Sequence, residues 1–369
     1  MVQKIILTAV CGALWLHPAA ASEKIRVAVA DEQQAVTIRS PAGLVVNGAG
    51  AGKKKTITAS QAGFRPVRVV ATNNQLDMNG KRYRGLLDVR KKQDGLLLAV
   101  NELDIEEYLR GVVASEIPHD WEQEALKAQA VASRTYALYQ KRTAGSRPYH
   151  IVATVGDQVY GGRNGEHRAA DRAVRETAGE VLTYDGEIIP AFYHASCGGH
   201  TESAFELWGL DVPYLGGVDC ECQRISQYGV WEKRFSPAQI AQSLGKIGYR
   251  LDGLWEASID GITPAGRVKQ VVLRHAGGIV SIPAEKFRSA LGTTAVPSVF
   301  FELELSGGEI VISGRGSGHG VGLCQWGAQE MALRGYDYQS ILQYYYPGTR
   351  LEKRRTTRHE KQTEKKAFI

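Results

Sequence analysis

The stretch GVVASEIPHD, residues 111–120, sets one carboxylate, Glu116, at the end of an apolar run and two residues ahead of Pro118. A carboxylate at the seam of two helices, shielded by Val112 and Ile117, has the chemistry of a general acid; a solvated turn residue has the same local sequence. The dipole of the preceding helix raises its pKa and that of the following helix lowers it, so the sequence leaves the sign of the shift open. Behind it, Lys127, Val131, Arg134 and Leu138 fall on one helical stripe at spacings of 4, 3 and 4. Two cations on one face, among small residues such as Ala128 and Ala132, can clamp a polar or anionic ligand.

A second constellation is YHASCGGHTE (193–202) followed by DCEC (219–222). His194, Cys197 and His200 are spaced by three, and Cys220 and Cys222 return about twenty residues later. Imidazole and thiolate in two such clusters suit tetrahedral zinc, a candidate structural metal. One of the five residues is then surplus, leaving His194 or His200 free to touch a substrate. A disulfide from Cys197 to Cys220 or Cys222 is the alternative, since an exported chain meets oxidising conditions. A third stretch, GRGSGHGVGLCQWGAQEMA (314–332), leads a glycine-rich loop into a helix, with His319 and Gln325 as the polar groups on a glycine-lined surface that can meet a substrate; a tight turn into a packed helix has the same local sequence. Cys324 reads there as a small buried residue.

The elements that must position these groups follow from periodicity. Seven segments between Ile25 and Asn101, among them AVTIRS, PVRVVA and LLLAV, read as strands separated by Gly, Asn and Asp turns. A helix capped by Asp104 runs to about Ser115, a second is capped by Asp120, and a third covers about Arg168 to Ala178. VLTYDGEIIP reads as a hairpin turning at Asp185-Gly186. Further strands and a helix near Ala284–Leu291 precede helices near Leu323–Leu333 and Tyr338–Tyr346. Strands and helices come in blocks, so the fold class is α+β: a β-rich N-terminal region over 22–100, then a mixed α/β region over 101–350 that holds all the candidate chemical groups and is expected to gather them around a central cleft.

The chain has 369 residues and a formal charge of +6. Residues 352–369 carry seven Lys/Arg against three acids, so most of the excess sits in a basic, aperiodic tail (351–369) expected to be disordered. The body is near neutral and has no basic-aromatic surface for nucleic acid. GAGAGKKKT (48–56) fails the phosphate-loop spacing at Asn47 and Lys54 and the dinucleotide spacing at Lys53, and reads as a hairpin tip. Residues 1–21 have the basic start, short apolar core and small-residue end of a signal peptide cleaved after Ala21. No later stretch approaches the ~20 apolar residues of a spanning helix, so the mature chain is expected to be exported, to the periplasm or cell wall, without a transmembrane segment.

Three long motifs now carry a resemblance. LRGVVASEIPHDWEQEALKAQAVASRTYAL, YHASCGGHTESAFELWGLDVPYL and GRGSGHGVGLCQWGAQEMALRGYDYQSILQYYYPGT, in this order over about residues 85–350, resemble the stage II sporulation protein D family. The resemblance implies an exported cell-wall protein whose partners are peptidoglycan glycan strands. Sporulation members are lytic transglycosylases acting on peptide-stripped glycan; related members are amidase enhancers, which implies a cell-wall amidase as a further partner. The family's catalytic glutamate matches Glu116, and its substrate-contacting lysine and arginine match Lys127 and Arg134. Some members bind zinc through a Cys/His set. The departures are Cys324, where serine is usual, and the basic tail. No second acid stands near Glu116 in the sequence, which fits a reaction run by a single carboxylate.

Overall fold

The computed structural model describes residues 23–63 and 65–354. The expected signal peptide and the tail beyond Arg354 lie outside the described residues. The architecture is α+β, with a β-rich N-terminal region. A seven-stranded sheet runs, edge to edge, through Ile151–Val152, Lys24–Gln33, Leu97–Asp104, Leu86–Lys91, Val67–Ala71, Leu44–Val46 and Ala49–Gly50. A four-stranded sheet orders Lys54–Thr58, Ala35–Arg39, Leu76–Met78 and Lys81–Tyr83. The GAGAGKKKT stretch does begin at a hairpin tip: Asn47 and Gly48, with positive φ of 50° and 87°, turn Leu44–Val46 back onto Ala49–Gly50, and Lys54–Thr58 then enters the other sheet.

Eight helices are formed among the described residues. They are α1 (Ile105–Glu116), α2 (Gln123–Thr143), α3 (Arg168–Glu176), α4 (Ala204–Trp208), α5 (Pro237–Gly245), α6 (Ala284–Leu291), α7 (Gln325–Leu333) and α8 (Tyr338–Tyr345). Asp104 caps α1 as expected, accepting the Glu106 N–H at 2.8 Å. Asp120 does not cap α2: the helix starts later, at Gln123, and its N-cap position is Glu122, whose N–H donates to the Gln329 side chain at 3.0 Å. The hairpin at Asp185-Gly186 is present, both residues with positive φ of 50° and 80°, the type I′ geometry that matches strand twist.

Three hydrophobic cores organise the described residues. The first joins both N-terminal sheets to α1, α3 and one face of α2 through residues such as Val27, Leu87, Val112 and Leu126. The opposite face of α2 (Ala125, Ala128, Val131, Ala132) enters the second core with the buried cysteines, α7 and α8. Alanine on both faces lets α2 be covered from two sides without a bulky ridge. The third core packs α5 and α6 on two three-stranded sheets, through Ile240, Leu273, Phe287 and Ile312. One short pairing decides the site. Tyr193–His194 runs parallel to Leu323–Cys324, which brings the second and third sequence motifs side by side. No helix of the described residues is long and apolar enough to cross a membrane.

Candidate active site and thiol cluster

Glu116 is the last residue of α1, because Ile117, preceding Pro118, is forced into extended backbone at φ −135° and ψ 153°. Its side chain opens on a cleft of about 490 Å³. One carboxylate oxygen accepts the Val159 N–H at 2.6 Å, and the Tyr193 and Gln325 side chains also hydrogen-bond the carboxylate. Burial outweighs these three bonds, which favour the anion, and pushes the pKa up to about 7. The sign that the helix dipoles left open is thus decided by desolvation. The Val159 N–H is held in place by contact between α1 and the following loop. A Cβ on Gly111 would lie 2.6 Å from the Gly162 carbonyl oxygen, so only glycine permits this approach.

The cleft is walled by Phe192, Trp208 and His319, with ring centroids 4.8 Å apart for the first pair and 5.2 Å for Trp208 and His319. Trp208 is 45% exposed, an unusual state for so large an apolar ring. Burial lowers the His319 pKa to about 4, so the imidazole is neutral, and its Nδ1 accepts the Val321 N–H at 3.0 Å. Gln325 opens α7 beside Glu116. Asp157, which the sequence did not single out, also lines the cleft, accepting the Tyr136 hydroxyl at 2.8 Å and the Val152 N–H at 2.8 Å. A second carboxylate does therefore stand on the cleft that holds Glu116. An open hollow over α3 is lined by His167, Arg168, Asp171 and Arg172, and its acid is already paired with Arg110 at 2.6 Å.

The structure brings His319 and Gln325 to the Glu116 cleft, but it does not bring Lys127 and Arg134. The expected clamp of two cations is corrected by their partners. The Arg134 guanidinium is 1% exposed and grips Glu106 with two bonds of 2.8 and 2.7 Å, adding the carbonyls of Glu180 and Val174 at 3.1 and 3.3 Å. It ties α1, α2 and α3 together and has no face turned to the cleft. Lys127 pairs with Glu124 at 2.8 Å and Glu176 at 3.0 Å, its ammonium 5.6 Å above the Tyr338 ring. The shared stripe is real, but it faces protein.

The expected Cys/His ligand set is corrected as well. Cys197, Cys220, Cys222 and Cys324 are all buried, all free, and their sulfur atoms lie within 4.8 Å of one another. Neither histidine joins them. His194 is buried with Nδ1 against the Val321 carbonyl at 3.1 Å, and burial holds its pKa well below the ordinary value. His200 is turned outward, its Nε2 3.9 Å from Asp219. Cys324 is the fourth thiol, because the parallel pairing of Leu323–Cys324 with Tyr193–His194 carries it to Cys197, whose N–H donates to its sulfur at 3.3 Å. Four clustered thiols, with the Gly327 N–H also donating to Cys324 at 3.4 Å, match the soft-donor set and N–H support of a tetrahedral divalent metal site.

Residues 93–184, which hold Glu116, match the family model described as "SpoIID: Stage II sporulation protein". Stage II sporulation protein D of Bacillus subtilis is 33% identical over 269 residues, covering 69% of this chain and 76% of that protein. The chain belongs to the stage II sporulation protein D family. An uncharacterised protein of Brachyspira hyodysenteriae is 35% identical over 314 residues, 85% of this chain and 80% of its own length. The amidase enhancer of Bacillus subtilis is 31% identical over 327 residues, 76% of this chain but 45% of that longer protein. In this family member the aromatic wall carries little local sequence signal. Trp208 sits on a five-residue helix, α4, too short to show a periodicity, although Ser203 in the cap position marks its start.

Proposed function

We propose that this protein is an exported peptidoglycan lytic transglycosylase, with Glu116 as general acid and then general base. The observation that carries the reading is Glu116 itself, a carboxyl group with a pKa of about 7 opening on a cleft that also exposes the Trp208 ring. A group titrating near 7 can give up a proton and take one back at working pH. Protonated Glu116 donates to the oxygen linking N-acetylmuramic acid to N-acetylglucosamine. The bond from that oxygen to muramic C1 breaks, and N-acetylglucosamine leaves with the proton as a free 4-hydroxyl. As the carboxylate, Glu116 then accepts the proton of the muramic C6 hydroxyl, whose oxygen bonds to C1 and gives the 1,6-anhydro product without consuming water. The Val159 N–H and the Gln325 and Tyr193 side chains hold the carboxylate in both steps. Trp208 and Phe192 offer flat apolar faces to sugar rings, and His319 and Gln325 supply polar contacts to the glycan.

The test is mass spectrometry of peptide-free glycan after incubation with wild type, Glu116→Gln and Asp157→Asn. The proposal expects anhydro-muramic ends from wild type and Asp157→Asn, and none from Glu116→Gln. A hydrolase with Asp157 as its second carboxylate makes reducing ends instead and loses activity in both variants. A second reading, a wall-binding protein that stimulates a partner amidase, is favoured by the 31% identity to the amidase enhancer. It expects no product from glycan alone and faster peptide release once an amidase is added. We further propose that the four thiols bind structural zinc, through Cys197, Cys220, Cys222 and Cys324.

A further inference from the structure

Arg267 precedes the strand Val268–His275 of the third core, yet its side chain leaves that core and enters the second. It is 2% exposed. Nη2 donates to the carbonyls of Cys197 at 2.9 Å and His200 at 3.1 Å, while Nε and Nη1 have no hydrogen-bond partner among the described residues. A guanidinium does not give up its proton in a protein, so this is a permanent buried charge with two orphaned donors. Glu202 stands 3.7 Å from Nη1, outside hydrogen-bond reach, and its carboxylate already accepts the Thr263 hydroxyl at 2.5 Å and the Ser203 N–H at 2.8 Å. The space for the guanidinium is made by the glycine-rich motif, since a Cβ on Gly320 would collide with Nη2. The Phe300 ring lies 5.3 Å from the guanidinium carbon and Glu285 adds a weaker charge, but neither gives Nε or Nη1 a hydrogen-bond partner, a poor match for a cation so fully enclosed.

The thiol cluster supplies the rest once it is loaded. Binding one divalent ion releases four thiol protons and leaves a tetrathiolate centre with two net negative charges. The backbone carrying Cys197 is in direct contact with Arg267, and charge on Cys197 and Cys324 acts favourably on the guanidinium. We propose that Arg267 is the counter-charge of the metal-loaded Cys197, Cys220, Cys222 and Cys324 centre, and that it links metal loading to docking of the third core. The inference rests on the reading of the four thiols as a metal site. Linkage is reciprocal: a charge that favours the loaded centre is itself held more firmly when the centre is loaded.

The experiment titrates the reduced full chain with cobalt(II), followed by its thiolate absorption, and then displaces cobalt with zinc. Wild type, Arg267→Lys and Arg267→Met are compared. The expected result is a loss of metal affinity of about 10- to 100-fold in Arg267→Met, the range found for outer-shell partners, with Arg267→Lys between the two. Chelation of the wild type is expected to speed proteolytic cleavage within residues 230–315 before the N-terminal sheets are cut. An Arg267→Met chain that binds cobalt as tightly as wild type overturns the inference, as does a cleavage pattern indifferent to chelation. If Arg267→Met does not fold, Glu202→Gln serves. Removing the competing anion should hold or tighten metal binding, and a clear weakening overturns the proposal. A wild type that shows no thiolate absorption with cobalt overturns the metal reading itself, a result distinct from equal binding by the variant.

Discussion

Glu116 couples the proposed chemistry to stability through one number. Its carboxyl group titrates near 7 in the folded chain against 4.5 for a solvated glutamate, so between these values the folded protein binds more protons than the unfolded one. Stability contributed by this group therefore falls as pH rises from about 4.5 through 7. Glu116→Gln removes the ionisation, and above pH 7 it should stabilise the chain by about 1–3 kcal/mol, the shift discounted for the part of the side chain open to the cleft. Thermal melts at pH 4 and pH 8 check this: the variant should gain at pH 8 and show little difference at pH 4. In catalysis the same titration predicts that kcat/KM on glycan declines above pH 7, as the protonated acid is depleted. The sequence marked this residue through the proline that ends its helix. It could not weigh desolvation against three hydrogen bonds, because the partners come from residues 159, 193 and 325.

At the scale of elements, α2 shows how a correct pattern can carry a wrong role. Lys127 and Arg134 do share a face, but the covering of α2 by α1, α3 and α8 makes that face interior. Arg134→Ala should destabilise the fold by about 2–4 kcal/mol, since it strands Glu106 and three further acceptors. Arg134→Lys should recover little, because a lysine cannot make the paired bonds. Urea unfolding midpoints measure both, and neither variant should change KM if enough folded protein is present. α4 gives the opposite case. Trp208→Ala should leave the melting temperature nearly unchanged, as the ring is half exposed, while weakening binding of peptide-free glycan oligomers by roughly tenfold, the order expected for one aromatic face. Fluorescence titration in the Glu116→Gln background, where the proposed mechanism expects no turnover, reads this directly. α5 carries its own local signal, since Ser236-Pro237 with Gln239 forms a full capping box.

At the scale of the whole molecule, the thiol cluster gathers residues 197, 220, 222 and 324 from three separate loops and strand ends. Cys324→Ser, which restores the residue usual in the resembled family, should lower zinc affinity by more than the roughly 100-fold that an outer-shell loss costs, because an alcohol replaces a thiolate ligand. Elemental analysis of protein purified without added metal should find one zinc per wild-type chain and a substoichiometric amount in the variant. Chelation should lower the melting temperature of wild type alone.

By itself the sequence determined most strands of the N-terminal region (though not the short pair Leu76–Met78 and Lys81–Tyr83), the bounds of most helices, the family, and Glu116 as the acid to test. These depend on local rules: alternation, helical period, caps, the restriction a proline places on its neighbour, and motifs read in order. Only the tertiary structure decided which polar groups meet. Asp157 joined the cleft, Lys127 and Arg134 were turned into ion pairs, and Cys324 displaced two histidines from the proposed ligand set. The reason is physical: what surrounds a side chain, and hence its charge, its partners and its pKa, is set by segments far away in the chain. Here a two-residue parallel pairing, Tyr193–His194 with Leu323–Cys324, brought those distant segments together.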